Sequence, residues 1–153
     1  MDIVVMLENI IEGLEFQTSE MRSFLNLRSG EVITITDEEL RAAEDEEPME
    51  QFPEWQQDNI RIAQEILEEE YYIPLPSQFE INEYSIMEEF CLDIEDDNLR
   101  ETMYRSIKGS GAFRRFKNSI RRFAIEEKWY KYRDEAIKGI AIEWCERKGI
   151  TYR

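Results

Sequence analysis

Apolar side chains near the start of the chain recur at intervals of three and four residues between Ile3 and Leu14. That spacing places them along one side of an α-helix, so the pattern predicts an amphipathic N-terminal helix. Two β-prone runs follow at 24–27 and 32–36, and the segment between them contains Gly30. Because glycine readily adopts the positive φ that a tight turn requires, these runs predict a β-hairpin.

The next part of the chain alternates between helical and extended patterns. Thr36 and Glu39 have the spacing of a capping box, which predicts a short helix after the hairpin. Residues 43–54 are acidic and contain two prolines, so we expect a mobile, solvated loop there. A second clear helix is predicted over 55–70. Residues 71–76 are predicted to be extended at their proline-flanked positions, since a proline excludes the α conformation in the residue before it, and this segment could pack as an edge on the hairpin.

Four amphipathic patterns in the remainder predict four further helices, the last of which ends at Gly149. The fold class that these patterns predict is α+β and predominantly α, with an N-terminal helix and β-hairpin followed by a helical bundle. The length of 153 residues favours a single domain over 1–153. We expect four aromatic side chains of the bundle to be substantially buried: Phe113, Phe116, Trp129 and Trp144.

The charge of the chain is strongly negative and unevenly distributed. The formal net charge is −16, yet residues 1–100 carry 28 acidic and 5 basic side chains while residues 101–153 carry 7 and 14. A field of that overall sign repels phosphates at long range and argues against affinity of the whole molecule for nucleic acid or anionic membrane. No signal-peptide pattern or bilayer-length apolar run occurs, which makes a cytoplasmic protein without membrane association the simplest expectation.

Little in the sequence predicts catalysis, so we lean towards a non-enzyme with no assigned catalytic, metal or cofactor residues. The chain contains no histidine, which removes histidine-dependent nucleophile pairs and zinc sites. Cys91 and Cys145 lie in helical apolar patterns and are expected to be reduced core thiols. The densest carboxylate group, 93–97, lacks the glycine and terminal glutamate of an EF-hand loop, and helix capping competes with cation binding there.

The most suggestive stretch is a glycine-bearing turn that leads into a basic helix at 112–123. Free backbone N–H groups and the helix dipole favour an anion at such a helix start. The candidate anion-binding residues are Lys108, Gly109, Ser110, Gly111, Arg114, Arg115 and Lys117. The stretch matches neither a Walker loop nor a dinucleotide fingerprint. In a competing interpretation the glycines only turn the chain, and the arginines pair with its own acidic half.

Several segments together resemble a family of small bacterial proteins catalogued as the uncharacterised protein family UPF0158. They include the sequence Gly-Ser-Gly-Ala-Phe-Arg-Arg-Phe-Lys, and their order spans nearly the whole chain: 25–32, 53–56, 73–76, 83–87, 109–117, 129–130 and 142–145. The resemblance implies a bacterial, cytoplasmic protein. It supplies no activity and no functional residues.

Three functional hypotheses follow from these observations. The leading one is a non-enzymatic interaction or regulatory module with an unknown protein partner, because the chain has a sound core plan, strong charge asymmetry and no recognisable chemistry. The second is a binder of RNA, nucleotide or another phosphorylated ligand through the basic helix at 112–123. The third is a metal-dependent hydrolase or transferase that uses carboxylates.

Overall fold

A computed structural model of the chain describes residues 3–153 and confirms the α+β, predominantly helical fold class. In chain order the elements are β1 (Val4–Val5), α1 (Leu7–Phe16), β2 (Met21–Asn26), β3 (Val32–Thr36), α2 (Asp37–Glu44), α3 (Glu54–Glu68), β4 (Tyr72–Pro74), α4 (Gln78–Ile81), α5 (Glu83–Leu92), α6 (Asp97–Ser106), α7 (Ala112–Arg122), α8 (Glu126–Lys148) and β5 (Thr151–Tyr152). The described residues divide into two compact units, which are unit 1 (3–81 and 140–153) and unit 2 (82–139).

Unit 1 contains a three-stranded antiparallel sheet in the order β3-β2-β4. The predicted hairpin is β2 and β3, and Gly30 in its turn has φ of 78°. The predicted extended segment is β4, which pairs with the other side of β2. The predicted capping box is also present, since Glu39 N donates to Thr36 Oγ1 and Thr36 N donates to a Glu39 carboxylate oxygen.

Helices α2 and α3 form an apolar cluster with one face of the sheet. Ile35 from β3 is fully buried in this cluster, and the other buried members are Ala42, Ala43, Ile60 and Ala63. The predicted acidic loop at 43–54 is shorter than expected, because its two ends belong to α2 and α3 and a 3₁₀ turn occupies Met49–Gln51. Met49 and Phe52 also pack against the cluster, so the connector is not solvated along its whole length.

Helix α1 packs against the opposite face of the sheet. Its Gly13 approaches Val32, which lies on the other face from Ile35 because successive side chains of a strand alternate between faces. Ser23 Oγ donates to the carbonyl oxygen of Gly13 at 2.7 Å and lies 2.8 Å from Thr34 Oγ1. A Cβ atom at Gly13 would lie 2.6 Å from Val32 Cγ1, so the glycine permits the close approach of α1 to the sheet.

Three short elements of unit 1 were not predicted. Strands β1 and β5 form a parallel pair in which Val4 lies opposite Thr151. The four-residue helix α4 follows the proline-flanked segment. The predicted end of the last helix is confirmed, since α8 stops before Gly149, whose φ is 69°.

Unit 2 contains α5, α6, α7 and the N-terminal part of α8, which confirms the predicted helices of this region. Its core is an aromatic cluster in which Phe116 contacts Trp129 and Phe90 edge to face, with ring centroids 4.7 and 6.0 Å apart. Phe116 and Trp129 are buried as predicted, and so is Trp144, which belongs to unit 1. The prediction is wrong for Phe113, which is 48% exposed.

Candidate anion-binding surface on helix α7

The turn before α7 is built from two glycines in the left-handed conformation. Gly109 and Gly111 both have φ of 80°, a region that other residues rarely adopt. Gly111 is the residue that precedes the first turn of α7, and no side chain caps the helix start. These glycines are therefore required by the sharp change of direction between α6 and α7.

The guanidinium group of Arg115 fills the inner side of this turn. Its Nε donates to the carbonyl oxygen of Ser106 at 2.8 Å, and its two terminal nitrogens donate to the carbonyl oxygens of Ser110 and Lys108. Three carbonyl groups from the end of α6 and from the turn thus share one side chain. The planar fork of arginine suits this arrangement, so Arg115 holds the turn closed.

Lys108 is already engaged with neighbouring groups of unit 2. Its ammonium nitrogen lies 3.8 Å from the ring centroid of Tyr104 and 3.8 Å from a carboxylate oxygen of Glu88. The adjacent Tyr104 side chain raises the pKa of Lys108 above its ordinary value. The lysine therefore stays protonated and adds to the local structure of the α6–α7 connection.

The other cations of the helix lie together on its solvent side. At 100° per residue, Arg114, Lys117, Arg121 and Arg122 fall within an arc of about 140°, and all four are exposed. We call these four residues the cationic face of α7. The opposite side of the helix is apolar and buried, so the helix is firmly oriented by its core contacts.

Most of the cationic face has no anionic partner within its own unit. Arg121 Nε lies 3.9 Å from a carboxylate oxygen of Glu126, and Arg122 stands 5.4 Å from the ring centroid of Phe123. Among the described residues of unit 2, no ion pair engages Arg114, Lys117 or Arg122. The predicted site residues are thus separated into two groups, one that builds the turn and one that faces solvent.

Phe113 adds an exposed aromatic ring at the edge of the cationic face. Tyr84 covers one side of this ring in an edge contact with centroids 6.4 Å apart. The Tyr84 hydroxyl also donates to the carbonyl oxygen of Ile107 at 2.8 Å, which ties α5 to the end of α6. The apolar spacing of α7 could not reveal that Phe113 is exposed, because the exposure of its ring depends on which side chains of the neighbouring helices cover it.

The acidic segment at 93–97 is used for capping and local pairing. Asp96 accepts a hydrogen bond from Leu99 N at 2.9 Å at the start of α6, and Asp97 pairs with Arg100. Asp93 accepts a hydrogen bond from the Tyr132 hydroxyl at 3.1 Å. Within residues 3–153, no group of three or more cysteine, aspartate or glutamate side chains is placed to hold a metal ion.

Both cysteines are free and buried. Burial, with the nearby carboxylate of Glu88, raises the pKa of the Cys91 thiol to about 11. Burial also raises the pKa of Cys145. Because the thiolate is the nucleophilic form, both thiols are poor nucleophiles at neutral pH.

None of the helices over 3–153 combines the length and the apolar character that crossing a bilayer requires. The features above define a class of protein, an α+β fold in which a buried aromatic cluster orients one exposed cationic helix. A family model described as "Uncharacterised protein family (UPF0158)" matches residues 2–153. The chain belongs to this family, as its sequence segments indicated.

One curated relative is the UPF0158 protein PA5073 of Pseudomonas aeruginosa. It is 24% identical to the chain over 66 residues, which cover 42% of this chain and 43% of the relative. The match therefore spans less than half the length of that relative. No solved structure matches the chain.

Proposed function

We propose that the protein is a non-enzymatic interaction module whose binding surface is the cationic face of α7. The observation that carries this proposal is the lack of an ion-pair partner within unit 2 for Arg114, Lys117 and Arg122. Like charges held on one helix face repel each other, and an anionic partner relieves that repulsion. The poor nucleophilicity of the two buried thiols further favours binding over catalysis.

The predicted anion-binding residues divide within this proposal. Arg114 and Lys117 contact the partner, whereas Arg115 and the glycine turn position the start of the helix. A substitution at Arg115 would disturb the turn, so it is a poor probe of binding. The proposed partner is an acidic segment of another protein. The cytoplasmic location of the protein stays a prediction.

A charge-reversal experiment tests the proposal. The first variant combines Arg114→Glu, Lys117→Glu and Arg122→Glu. A matched control makes the same change in net charge on α8, at three exposed lysines that form no ion pair within unit 2: Lys128, Lys131 and Lys138. Each protein is used as bait in bacterial lysate, and the captured proteins are identified.

The proposal requires a specific protein that the wild type and the α8 control both capture and that the α7 variant loses. Equal capture by all three proteins would show that the cationic face is not the binding surface. Capture of no specific protein by the wild type would contradict the interaction role itself. Circular dichroism of each variant shows whether it retains the wild-type helix content.

One observation favours single-stranded RNA as a second candidate ligand. Phe113 is half exposed beside Arg114 and Lys117, and proteins that bind single strands combine aromatic stacking with backbone-contacting cations. Three phosphate contacts predict a slope of log K against log salt of about −2, or about a 20-fold loss of affinity between about 50 and about 200 mM salt. The net charge of −16 opposes this candidate at long range.

Fluorescence anisotropy with a labelled single-stranded RNA tests this candidate. We expect Phe113→Ala to weaken binding without altering the salt slope, because it removes stacking only. We expect Lys117→Ala to reduce the slope by about 0.7, because it removes one phosphate contact. Binding that is absent at low salt, or equal for the wild type and both variants, would remove the RNA hypothesis.

A further inference from the structure

Strand β3 has one side paired with β2 and one side open. Asn26 N donates to the carbonyl oxygen of Glu31 at 2.9 Å, and Asp37 N donates to that of Glu20 at 2.8 Å. Along an antiparallel strand, residues that bond to the neighbouring strand alternate with residues whose N–H and C=O groups point outward. These two bonds therefore determine which residues of β3 face β2. Ile33 and Ile35 therefore bond to β2, and the N–H and C=O groups of Val32 and Thr34 point away from the sheet.

Within unit 1, β3 pairs only with β2, and no further backbone hydrogen bond engages the outward groups of Val32 and Thr34. The sheet order β3-β2-β4 places β3 at the edge. The next outward N–H, that of Thr36, is occupied by the Glu39 carboxylate at 3.0 Å. The open part of the edge is therefore a short, defined stretch that ends at the start of α2, and it can template an added strand.

A groove of about 480 Å³ runs along this open edge between β3 and α1. Phe16 at its rim is 59% exposed and offers an apolar contact. Glu12 and Glu31 are also among the residues that line the groove, and neither forms an ion pair among the described residues of unit 1. The groove thus combines backbone hydrogen-bonding groups, an aromatic surface and negative charge.

We propose that the open edge of β3 binds an extended, lysine- or arginine-bearing segment of another protein, which adds to the sheet as a fourth strand. The outward N–H and C=O groups of Val32 and Thr34 pair with its backbone, and Glu12 and Glu31 select its positive side chains. A second copy of this chain is a poor occupant, because it would bring the same carboxylates and a net charge of −16 to the edge. This surface is additional to the cationic face of α7, and its test is independent of that proposal.

Amide hydrogen exchange tests the backbone pairing. The probe is a short synthetic peptide of alternating lysine and valine, and the control peptide has glutamate in place of every lysine. The proposal requires the lysine peptide to slow exchange at Val32 and Thr34 at least about tenfold, as pairing buries both amides. Unchanged exchange at these two residues, or equal protection by the glutamate peptide, would overturn it.

Two substitutions on the protein separate the backbone and charge contributions. Thr34→Pro removes an outward N–H while the ladder bonds at Ile33 and Ile35 remain, and edge strands tolerate proline on this side. It also removes the hydroxyl that lies 2.8 Å from Ser23 Oγ, so Thr34→Val, which loses the hydroxyl alone, is its control. We expect Thr34→Pro to weaken binding of the lysine peptide at least about tenfold. If this variant does not fold, a lysine peptide N-methylated at alternate residues removes the same contacts from the other side, and its undiminished binding would overturn the proposal.

The charge contribution is measured with the double variant Glu12→Gln and Glu31→Gln. We expect about a threefold to tenfold loss of affinity for the lysine peptide at low salt, since each exposed charge pair contributes modestly. The matched control is the double variant Glu68→Gln and Glu70→Gln, which removes two exposed carboxylates of unit 1 outside the groove. An equal loss in both double variants would show that overall charge, rather than the groove, attracts the peptide.

Discussion

Two neighbouring arginines of α7, Arg114 and Arg115, are expected to affect different properties of the protein when each is replaced by alanine. Arg115 donates to three carbonyl oxygens of the α6–α7 connection, whereas Arg114 is exposed and has no ion-pair partner in unit 2. We therefore expect Arg115→Ala to destabilise the fold and Arg114→Ala to affect only binding. The two residues have the same charge and adjacent positions, so each variant controls for the other.

The size of the effect follows from the exposure of the bonds. A hydrogen bond from a charged group contributes about 1.5–3 kcal/mol when buried, and much less when water competes for it. The Nε bond to Ser106 is partly buried and the two terminal bonds are exposed. We expect Arg115→Ala to lower the free energy of unfolding by about 1–3 kcal/mol, and Arg114→Ala to change it by less than about 0.5 kcal/mol.

Urea unfolding followed by circular dichroism gives the two free energies, and amide exchange over 108–111 reports on the turn itself. Arg115→Lys should recover only part of the loss, because an ammonium group cannot reach three carbonyl oxygens with the geometry of a guanidinium. Equal stability of the Arg114 and Arg115 alanine variants would refute the assignment of Arg115 to the turn. So would unchanged amide exchange over 108–111 in Arg115→Ala.

Three further predictions concern unit 2 and the titration of tyrosines. Phe116→Ala should lower the free energy of unfolding by about 3–5 kcal/mol, and Phe113→Ala should lower it by less than about 1.5 kcal/mol, as measured by urea unfolding. The reason is that Phe116 is 1% exposed whereas Phe113 is 48% exposed. Asn118→Glu would place a carboxylate one turn from three arginines of the cationic face, so we expect about 0.3–1 kcal/mol of added stability by urea unfolding and weaker capture of the acidic partner. Burial and a hydrogen bond to a carboxylate raise the pKa of Tyr72 and of Tyr132 to about 12. Folding therefore favours the protonated form of both tyrosines. The stability that they contribute is complete below pH of about 10 and is lost as the pH rises through about 12. Absorbance titration of the tyrosines and urea unfolding at each pH should show both effects.

Local patterns were sufficient to predict most of the elements. The hairpin was predictable because its turn requires a glycine and its flanking runs are β-prone, and the capping box was readable from Thr36 and Glu39 alone. The edge position of β4 followed from its prolines. Each of these features depends on residues within a few positions of one another.

The features that the sequence did not predict depend on contacts that a local pattern of apolar and charged residues does not show. Strands β1 and β5 each have two residues, too few to show a periodicity, and they pair across nearly the whole chain length. Phe113 has the apolar spacing of a core residue but lies in the first turn of α7, where Tyr84 covers only one side of its ring. The role of Arg115 was also hidden, because its partners are backbone carbonyls rather than acidic side chains.

The cationic face persists in so acidic a chain because α7 contains no acidic residue of its own. Elsewhere, several arginines pair with a carboxylate three or four residues away on the same helix, as in α3, α6 and α8. Such pairs cost little entropy, since the helix already holds both side chains near each other. Residues 112–122 lack this option, and the helix orientation set by Phe116 turns their cations towards solvent. The composition of one helix, together with its aromatic anchor, therefore maintains a local positive surface that the overall charge of −16 conceals.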